Sequence, residues 1–286
     1  MPRRPQTAAR GPVIGPLTPM LFAPTRERPL RAKSHWLEAD TQVEPHSHPW
    51  AQLAFSATGV MRLTADRGTY LVPPSRAVWI PPGVEHAITV VETCHLRTLY
   101  LHQAAGRCGP AVPRADEAAW RGCRVLEVSD LLRALVLALP TAPDGGEPPD
   151  AAELQRERLI ADLLRDELRR ARPVRLGVDL PRDKRLRALC EAVLDDPTRH
   201  ATLADWSRDV GASERTVARL FRQDLGTSFV QWRQQVLLAR ALAMAARKQP
   251  MAQIAAELGY ASPSAFSAMV RRSVGAPPSR FFASAG

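Results

Sequence analysis

The stretch Leu203–Trp232, LADWSRDVGASERTVARLFRQDLGTSFVQW, and the stretch Met251–Phe281, MAQIAAELGYASPSAFSAMVRRSVGAPPSRF, are two copies of one pattern. Ala204, Val210 and Gly211 answer to Ala252, Leu258 and Gly259. After one inserted residue, Ser213, Leu220 and Gly226 answer to Ser262, Met269 and Gly275. Each copy reads as a short apolar-faced helix, a Gly turn, a Ser N-cap and a second helix. Gly permits the tight backbone reversal, and Ser satisfies amides that the second helix leaves free. That order is the helix-turn-helix pattern. The spacing predicts second helices over 214–224 and 263–273, joined by a connecting helix over Phe229–Lys248.

On the first of these helices Val217, Leu220 and Phe221 form an apolar face, and Arg215, Ala218, Arg219 and Arg222 form the opposite one. Arg side chains on the first turns of such a helix suit a major groove, where guanine O6 and N7 accept from Arg in a bidentate way. On the second, Ala265, Phe266, Met269 and Val270 are expected inward, with Ser264, Ser267, Ala268, Arg271 and Arg272 outward. A solvated Arg face on an ordinary helical bundle is the competing reading for either helix alone. Two copies in tandem, in a basic segment, weigh against it.

Charge is distributed to match. Residues 181–286 hold 16 basic and 9 acidic residues, a net of +7, whereas residues 34–180 hold 16 and 19, a net of −3. Residues 1–33 carry seven Lys or Arg against one acid, amid seven prolines, and read as a flexible basic arm. A mildly acidic centre followed by a basic helical end suggests a sensing module joined to a polyanion-binding one. The chain of 286 residues fits two domains at ~100–200 residues each. Its most apolar run, Leu131–Leu139, is far short of the ~20 residues of a membrane helix. With no signal-peptide pattern near the start, a cytoplasmic protein with no membrane partner is expected. The four cysteines (94, 108, 123 and 190) show no zinc spacing.

Between residues 34 and 104 the pattern changes to short β-rich runs: Gln52–Phe55, Gly59–Thr64, Gly68–Val72, Ala77–Ile80, His86–Val91 and Leu96–Leu101. Turn signals every 8–12 residues predict an antiparallel barrel or sandwich. Residues 105–180 read as linker and dimerisation helices, with Leu154, Ala161 and Leu168 at heptad spacing in a helix over Ala151–Ala171. Plain core packing and a dimer-forming helix pair both fit that stripe.

From about Pro181 to Phe282 the chain resembles the DNA-binding domain of the AraC/XylS transcriptional regulators. The residues that carry the resemblance are Leu203–Ala204, Ser213–Glu214–Arg215–Thr216 through Leu220–Phe221, Gly226, Phe229–Gln231–Trp232–Arg233, Ile254–Ala255, Leu258–Gly259–Tyr260, Ser262–Pro263–Ser264–Ala265–Phe266 and Gly275–Ala276–Pro277–Pro278. The resemblance implies two units entering successive major grooves. Arg215 and Arg219 fall on base-contacting positions of the family; Pro263, Ser264 and Ala268 fall where long polar side chains reach bases. Ala268 replaces the usual Arg and Val270 the usual Phe, so the first unit should supply most discrimination and Arg271 and Arg272 mostly phosphate anchoring.

The front half resembles the cupin-type sensor of the same regulators. His46-Ser47-His48, Gln52 and Gly59 fit the first cupin motif, with Gln in the usual Glu place, and Pro81-Pro82-Gly83-Val84-Glu85-His86 fits the second. The resemblance brings His46, His48, Gln52 and His86 together as an effector pocket walled by Trp50, Trp79 and Tyr100. The imidazoles of His46, His48 and His86 suit a divalent transition metal, with plain pocket lining as the competing reading.

The sequence thus predicts a two-domain α+β protein. An N-terminal cupin-like, jelly-roll-like β-barrel (34–104) is followed by linker helices and an all-α domain with two helix-turn-helix units (181–286). It is read as a homodimeric, effector-responsive regulator bound to double-stranded promoter DNA in the bacterial nucleoid, with RNA polymerase a further candidate partner. A metal-dependent cupin oxygenase or isomerase is the alternative; the chain offers no clear general base or nucleophile beside the histidines.

Overall fold

A computed structural model describes residues 11–65, 68–74, 76–174, 177–181, 183–274 and 277–282. The front of the chain folds as two facing six-stranded sheets. One sheet holds, in spatial order, β1 (Val13–Ile14), β3 (Gln42–His46), β8 (His86–Val90), β5 (Met61–Ala65), β6 (Gly68–Val72) and β12 (Gly177–Asp179). The other holds β11 (Pro173–Val174), β10 (Arg124–Glu127), β7 (Arg76–Ile80), β4 (Ala51–Ser56), β9 (Cys94–Leu101) and β2 (Leu30–Leu37). The arrangement is jelly-roll-like, and the two sheets do not close into one continuous barrel. Only the β1–β3 pair is parallel among the described pairs.

Strand alternation divides the buried side chains of the second sheet between two cores. Leu37, Ala54, Val78, Ile80, Cys94 and Leu96 face the first sheet. Their sequence neighbours Leu53, Phe55, Ala77 and Trp79 face outward, with Leu99, against helices α1 (Asp130–Ala138) and α2 (Ala151–Arg170). Those helices form the outer layer of the sensor domain. Ser129 caps α1 by accepting from the Leu132 amide, and Asp150 with Glu153 forms a capping box on α2.

The sensor therefore extends past residue 104: β10, α1, α2, β11 and β12 all belong to it. The boundary expected at residue 34 falls inside β2, and Val13–Ile14 already pairs with β3. The first ten residues of the basic arm lie outside the described residues. The heptad stripe of α2 is spent internally, because Ala161 and Leu168 are buried with Ile160 and Leu164 against the sheet. Leu159 and Leu163 are the exposed leucines of this helix, each more than half accessible.

The rest of the chain is helical: α3 (Lys184–Asp195), α4 (Leu203–Asp209), α5 (Glu214–Leu225), α6 (Phe229–Ala246), α7 (Met251–Glu257), α8 (Pro263–Val274) and α9 (Pro278–Phe282). Helix α6 joins the parts. Its first half (Phe229, Trp232, Val236) packs with α3, α4 and α5 around Trp206 and Phe221. Its second half (Leu237–Met244) lies in one buried cluster with α7, α8, α9 and the inner face of the sensor sheets, and α6 runs against β6 and β12.

Candidate DNA interface and effector site

In the first helical unit, Gly211 (φ 62°) makes the turn between α4 and α5. The Thr216 amide donates to Ser213 Oγ at 3.2 Å, and α5 ends at Gly226 in the left-handed region (φ 62°). Val217 and Phe221 are buried, with Phe221 edge-on to Phe229 and Trp232 at 5.4 and 5.8 Å. Leu220 is half-buried at the margin of this cluster. Burying that face leaves Arg215, Arg219 and Arg222 exposed on the other. Arg219 donates to Gln223 Oε1 at 2.7 Å, and among the described residues none of the three arginines is in an ion pair with a carboxylate.

The second unit repeats the construction. Gly259 (φ 78°) makes the turn, and the Ala265 amide donates to Ser262 Oγ at 3.2 Å. Phe266, Met269 and Val270 are buried; Ser264, Ala268, Arg271 and Arg272 are exposed, and Ser267 is half-buried. Ala265, expected inward, is exposed instead. It sits in the first turn of α8, one residue before the buried stripe begins. Gly275 and Ala276 of the repeat lie outside the described residues.

The sensor histidines converge. His46 and His86 are register partners across β3 and β8, with ring centroids 4.4 Å apart, and His48 lies 5.2 Å from His86. His48 stacks on Trp50 at 5.1 Å and meets Tyr100 edge-on at 5.1 Å. Each ring donates from Nδ1 to a main-chain carbonyl: His46 to Glu44 (2.9 Å), His48 to Trp50 (2.8 Å) and His86 to Val84 (3.0 Å). Burial lowers the pKa of all three, that of His86 to about 3, so the rings are neutral and Nε2 carries the lone pair.

Nδ1 held by a carbonyl is also how metal-binding histidines are oriented. His48 Nε2, however, lies 2.7 Å from the atom placed as Gln52 Oε1; against a lone pair, the amide must be turned to present its NH2 instead. Among the described residues no group of three or more His, Cys, Asp or Glu side chains is disposed to hold a metal ion.

Trp79 is not part of this pocket. Its register partner on β4 is Leu53, whereas Gln52 pairs with Ile80. The Trp79 ring therefore points to the outer layer, where Nε1 donates to the Trp120 carbonyl at 2.9 Å. A second aromatic, Phe22, packs with Trp50 and Tyr100 instead. Lys33, one of the seven basic residues of the N-terminal stretch, lies beside them: Nζ donates to Tyr100 Oη at 2.9 Å.

Residues 34–171 match the family described as the AraC-like ligand binding domain, and residues 206–284 match a helix-turn-helix domain family. The HTH-type transcriptional regulator NimR of Escherichia coli (strain K12) is 32% identical over 83% of this chain and 81% of its own. The chain belongs to the AraC family of transcriptional regulators. The arabinose operon regulatory protein of Salmonella typhimurium (strain LT2) is 30% identical over 46% of each chain. The crystal structure of ToxT from Vibrio cholerae O395 aligns over 90% of this chain and 98% of its own, at 11% identity and a TM-score of 0.35. Like other AraC-type regulators, this chain couples a ligand-binding domain to a helix-turn-helix DNA-binding domain. No helix among the described residues is long and apolar enough to cross a membrane.

Proposed function

We propose that this AraC-type chain is a one-component cytoplasmic regulator, not an enzyme, that reads promoter DNA through α5 and α8 and responds to a small effector held between the sensor sheets. Arg215, Arg219 and Arg222 read bases and the adjoining backbone from α5. Ser264 and Ser267 face the DNA from α8, and Arg271 and Arg272 anchor phosphates. The effector pocket comprises His46, His48, Gln52, His86 and Trp50, closed by Phe22 and Tyr100.

The observation that carries this reading is the placement of α6. Its two halves are built into different cores, the first helical unit on one side and the sensor with the second unit on the other. A change in the sheets that shifts α6 moves the two recognition helices relative to one another. An effector acts through such a shift only if it binds one arrangement more tightly than the other.

A homodimer through the exposed face of α2, around Leu159 and Leu163, and contact with RNA polymerase complete the proposed working state. The oriented imidazoles favour a second reading, a divalent metal as the effector, in which the Gln52 amide leaves His48 Nε2.

Fluorescence anisotropy with a labelled duplex tests the DNA-binding role. The affinity of the full chain should fall steeply with salt, and Arg271→Ala and Arg272→Ala should each reduce the log–log slope by about 1. Affinity that ignores both salt and these substitutions would sink the reading. Elemental analysis of the purified protein tests the metal reading, which requires about one equivalent per chain.

A further inference from the structure

Lys33 is a cation set in the sensor interior beside Tyr100. It lies on the inner face of β2 and is 3% exposed. The arginines near it in sequence are paired: Arg31 with Asp144 at 2.5 Å, and Arg28, ahead of β2, with Glu157 through Nε and Nη2 at 2.9 and 2.6 Å. Lys33 has no carboxylate partner among the described residues. An ammonium carries three donors. Two are used, toward the Leu17 carbonyl (2.7 Å) and Tyr100 Oη (2.9 Å), and the rings of Phe22 and Tyr100 lie 5.9 and 5.3 Å from Nζ.

Burying a cation among neutral partners is costly unless a counter-charge arrives. Three more polar atoms wait around it, buried and without partners: the Trp50 Nε1 donor and the Nε2 atoms of His35 and His86. The indole of Trp50 meets Tyr100 edge-on at 5.6 Å, and Phe22 completes an aromatic wall. One cation, one idle N–H donor and three aromatic rings form the recognition set of an anion with an apolar body.

We infer that the interior of the sensor binds a small organic carboxylate, whose oxygens take Lys33 Nζ and Trp50 Nε1 while its apolar body lies against Phe22, Trp50 and Tyr100. The inference rests on the reading of this interior as the effector site, and names the class of effector. The Leu17 carbonyl, which accepts from Lys33 Nζ, stands where a carboxylate oxygen would go. Leu17 belongs to the N-terminal strap that crosses the sheets between β1 and β2, followed by Thr18 in the left-handed region (φ 46°) and a 3-10 turn over Pro19–Phe22. An entering carboxylate replaces the Leu17 carbonyl on Lys33 and releases the strap there, while the ring of Phe22 remains available to the apolar body.

Thermal shift and isothermal titration on the full chain test this with straight-chain acids from butanoate to decanoate and with benzoate and 2-naphthoate, each against its uncharged amide. Lys33→Met and Trp50→Phe, checked for folding by circular dichroism and by DNA binding, are run alongside. At least one acid should bind, its amide at least tenfold more weakly, and Lys33→Met should lose at least tenfold in affinity for the acid. Lys33→Arg, which keeps the charge, should bind the acid within a few-fold of wild type and covers the case in which Lys33→Met folds poorly. Amides binding as well as acids, with the response lost in Trp50→Phe, would overturn the carboxylate while leaving the interior as effector site. No binding by any acid or amide would overturn both.

Discussion

Arg247, the residue that caps the C-terminus of α6, lies 3.0 Å from Glu92 in the turn between β8 and β9, and so ties the connecting helix to the sensor. Arg62 on β5 makes a second tie, to Asp195 at the end of α3, also at 3.0 Å. Next to the first pair, a groove of about 480 Å³ runs between the sensor (Gly59, Val60, Glu92) and the helical side (Ala243, Arg247). The junction is thus apolar at its centre, charged at its rim and incompletely filled.

The rim pairs should matter for coupling more than for stability. Glu92 and Arg247 are partly exposed, and such pairs contribute roughly 0–1 kcal/mol. Glu92→Ala should therefore shift Tm by no more than about 2–4 °C. The factor by which an effector changes DNA affinity should fall at least several-fold. Calorimetry with anisotropy in the presence and absence of effector measures both; an unchanged coupling factor would remove this contact from the relay.

The two recognition helices should respond differently to truncation. Arg215→Ala and Arg219→Ala should each cost about 1–3 kcal/mol on the preferred site and relax base preference. Ser264→Ala should cost less than either. If Ser264→Ala relaxed base preference more than Arg219→Ala, discrimination would lie in the second unit.

Truncating the centre of the first unit should unfold that unit. Phe221 is fully buried against Phe229 and Trp232, so Phe221→Ala should cost about 3–5 kcal/mol. The sensor keeps its own cores, and hydrogen exchange should show α4 and α5 exposed while β4, β7 and β9 stay protected.

The strongest pH dependence should come from Lys33. Burial pushes its ammonium from the ordinary value of 10.5 down to about 8. The other titratable groups around it are His35, His46 and His86, all lowered by burial and neutral at pH 7, and Tyr100, raised by burial and un-ionised there; Arg31 is matched by Asp144. Because the folded value lies below the unfolded one, the cost of charged Lys33 is fully present below pH 8 and disappears as pH rises toward 10.5. Lys33→Met should consequently stabilise the chain without effector at pH 7, by about 1 kcal/mol after the lost hydrogen bonds to Tyr100 and the Leu17 carbonyl, and by less at pH 10. Carboxylate affinity should be level from pH 6 to 8 and fall above it. Denaturant melts at the two pH values and titrations across the range check both signs.

The dimer face should be the exposed side of α2. Leu159→Asp with Leu163→Asp should yield monomers in sedimentation velocity at micromolar concentration, with the fold intact because neither side chain enters the core. A dimer that survives both substitutions would place the interface elsewhere.

What could be read from the sequence follows the physics of each element. The helix-turn-helix units were legible because Gly211, Gly259, Ser213 and Ser262 perform backbone tasks that few residues can. The observed α5 starts at the expected residue and ends one residue later. Strand facing was less legible. Leu53, Phe55, Ala77 and Trp79 look like inner-face residues until α1 and α2 are known to cover the outer side of the sheet. Periodicity in α2 revealed a buried stripe but could not say whether sheet or second subunit buries it. Lys33 was hidden by its neighbours, since a Lys in a stretch with seven basic residues reads as surface charge. Only its alternation with Arg31 and His35 on β2 turns it inward.

The most direct test of the account is selection of binding sites from random duplex DNA at fixed salt, using the full chain beside an Arg215→Ala/Arg219→Ala chain. The account predicts an enriched site with two elements about 10 bp apart, matching recognition helices in successive major grooves, and loss of the enrichment in the double variant. Equal enrichment by both chains would contradict the assignment of α5 as the reading helix. The absence of any enriched site, with or without a carboxylate effector, would contradict sequence-specific recognition by these two helices.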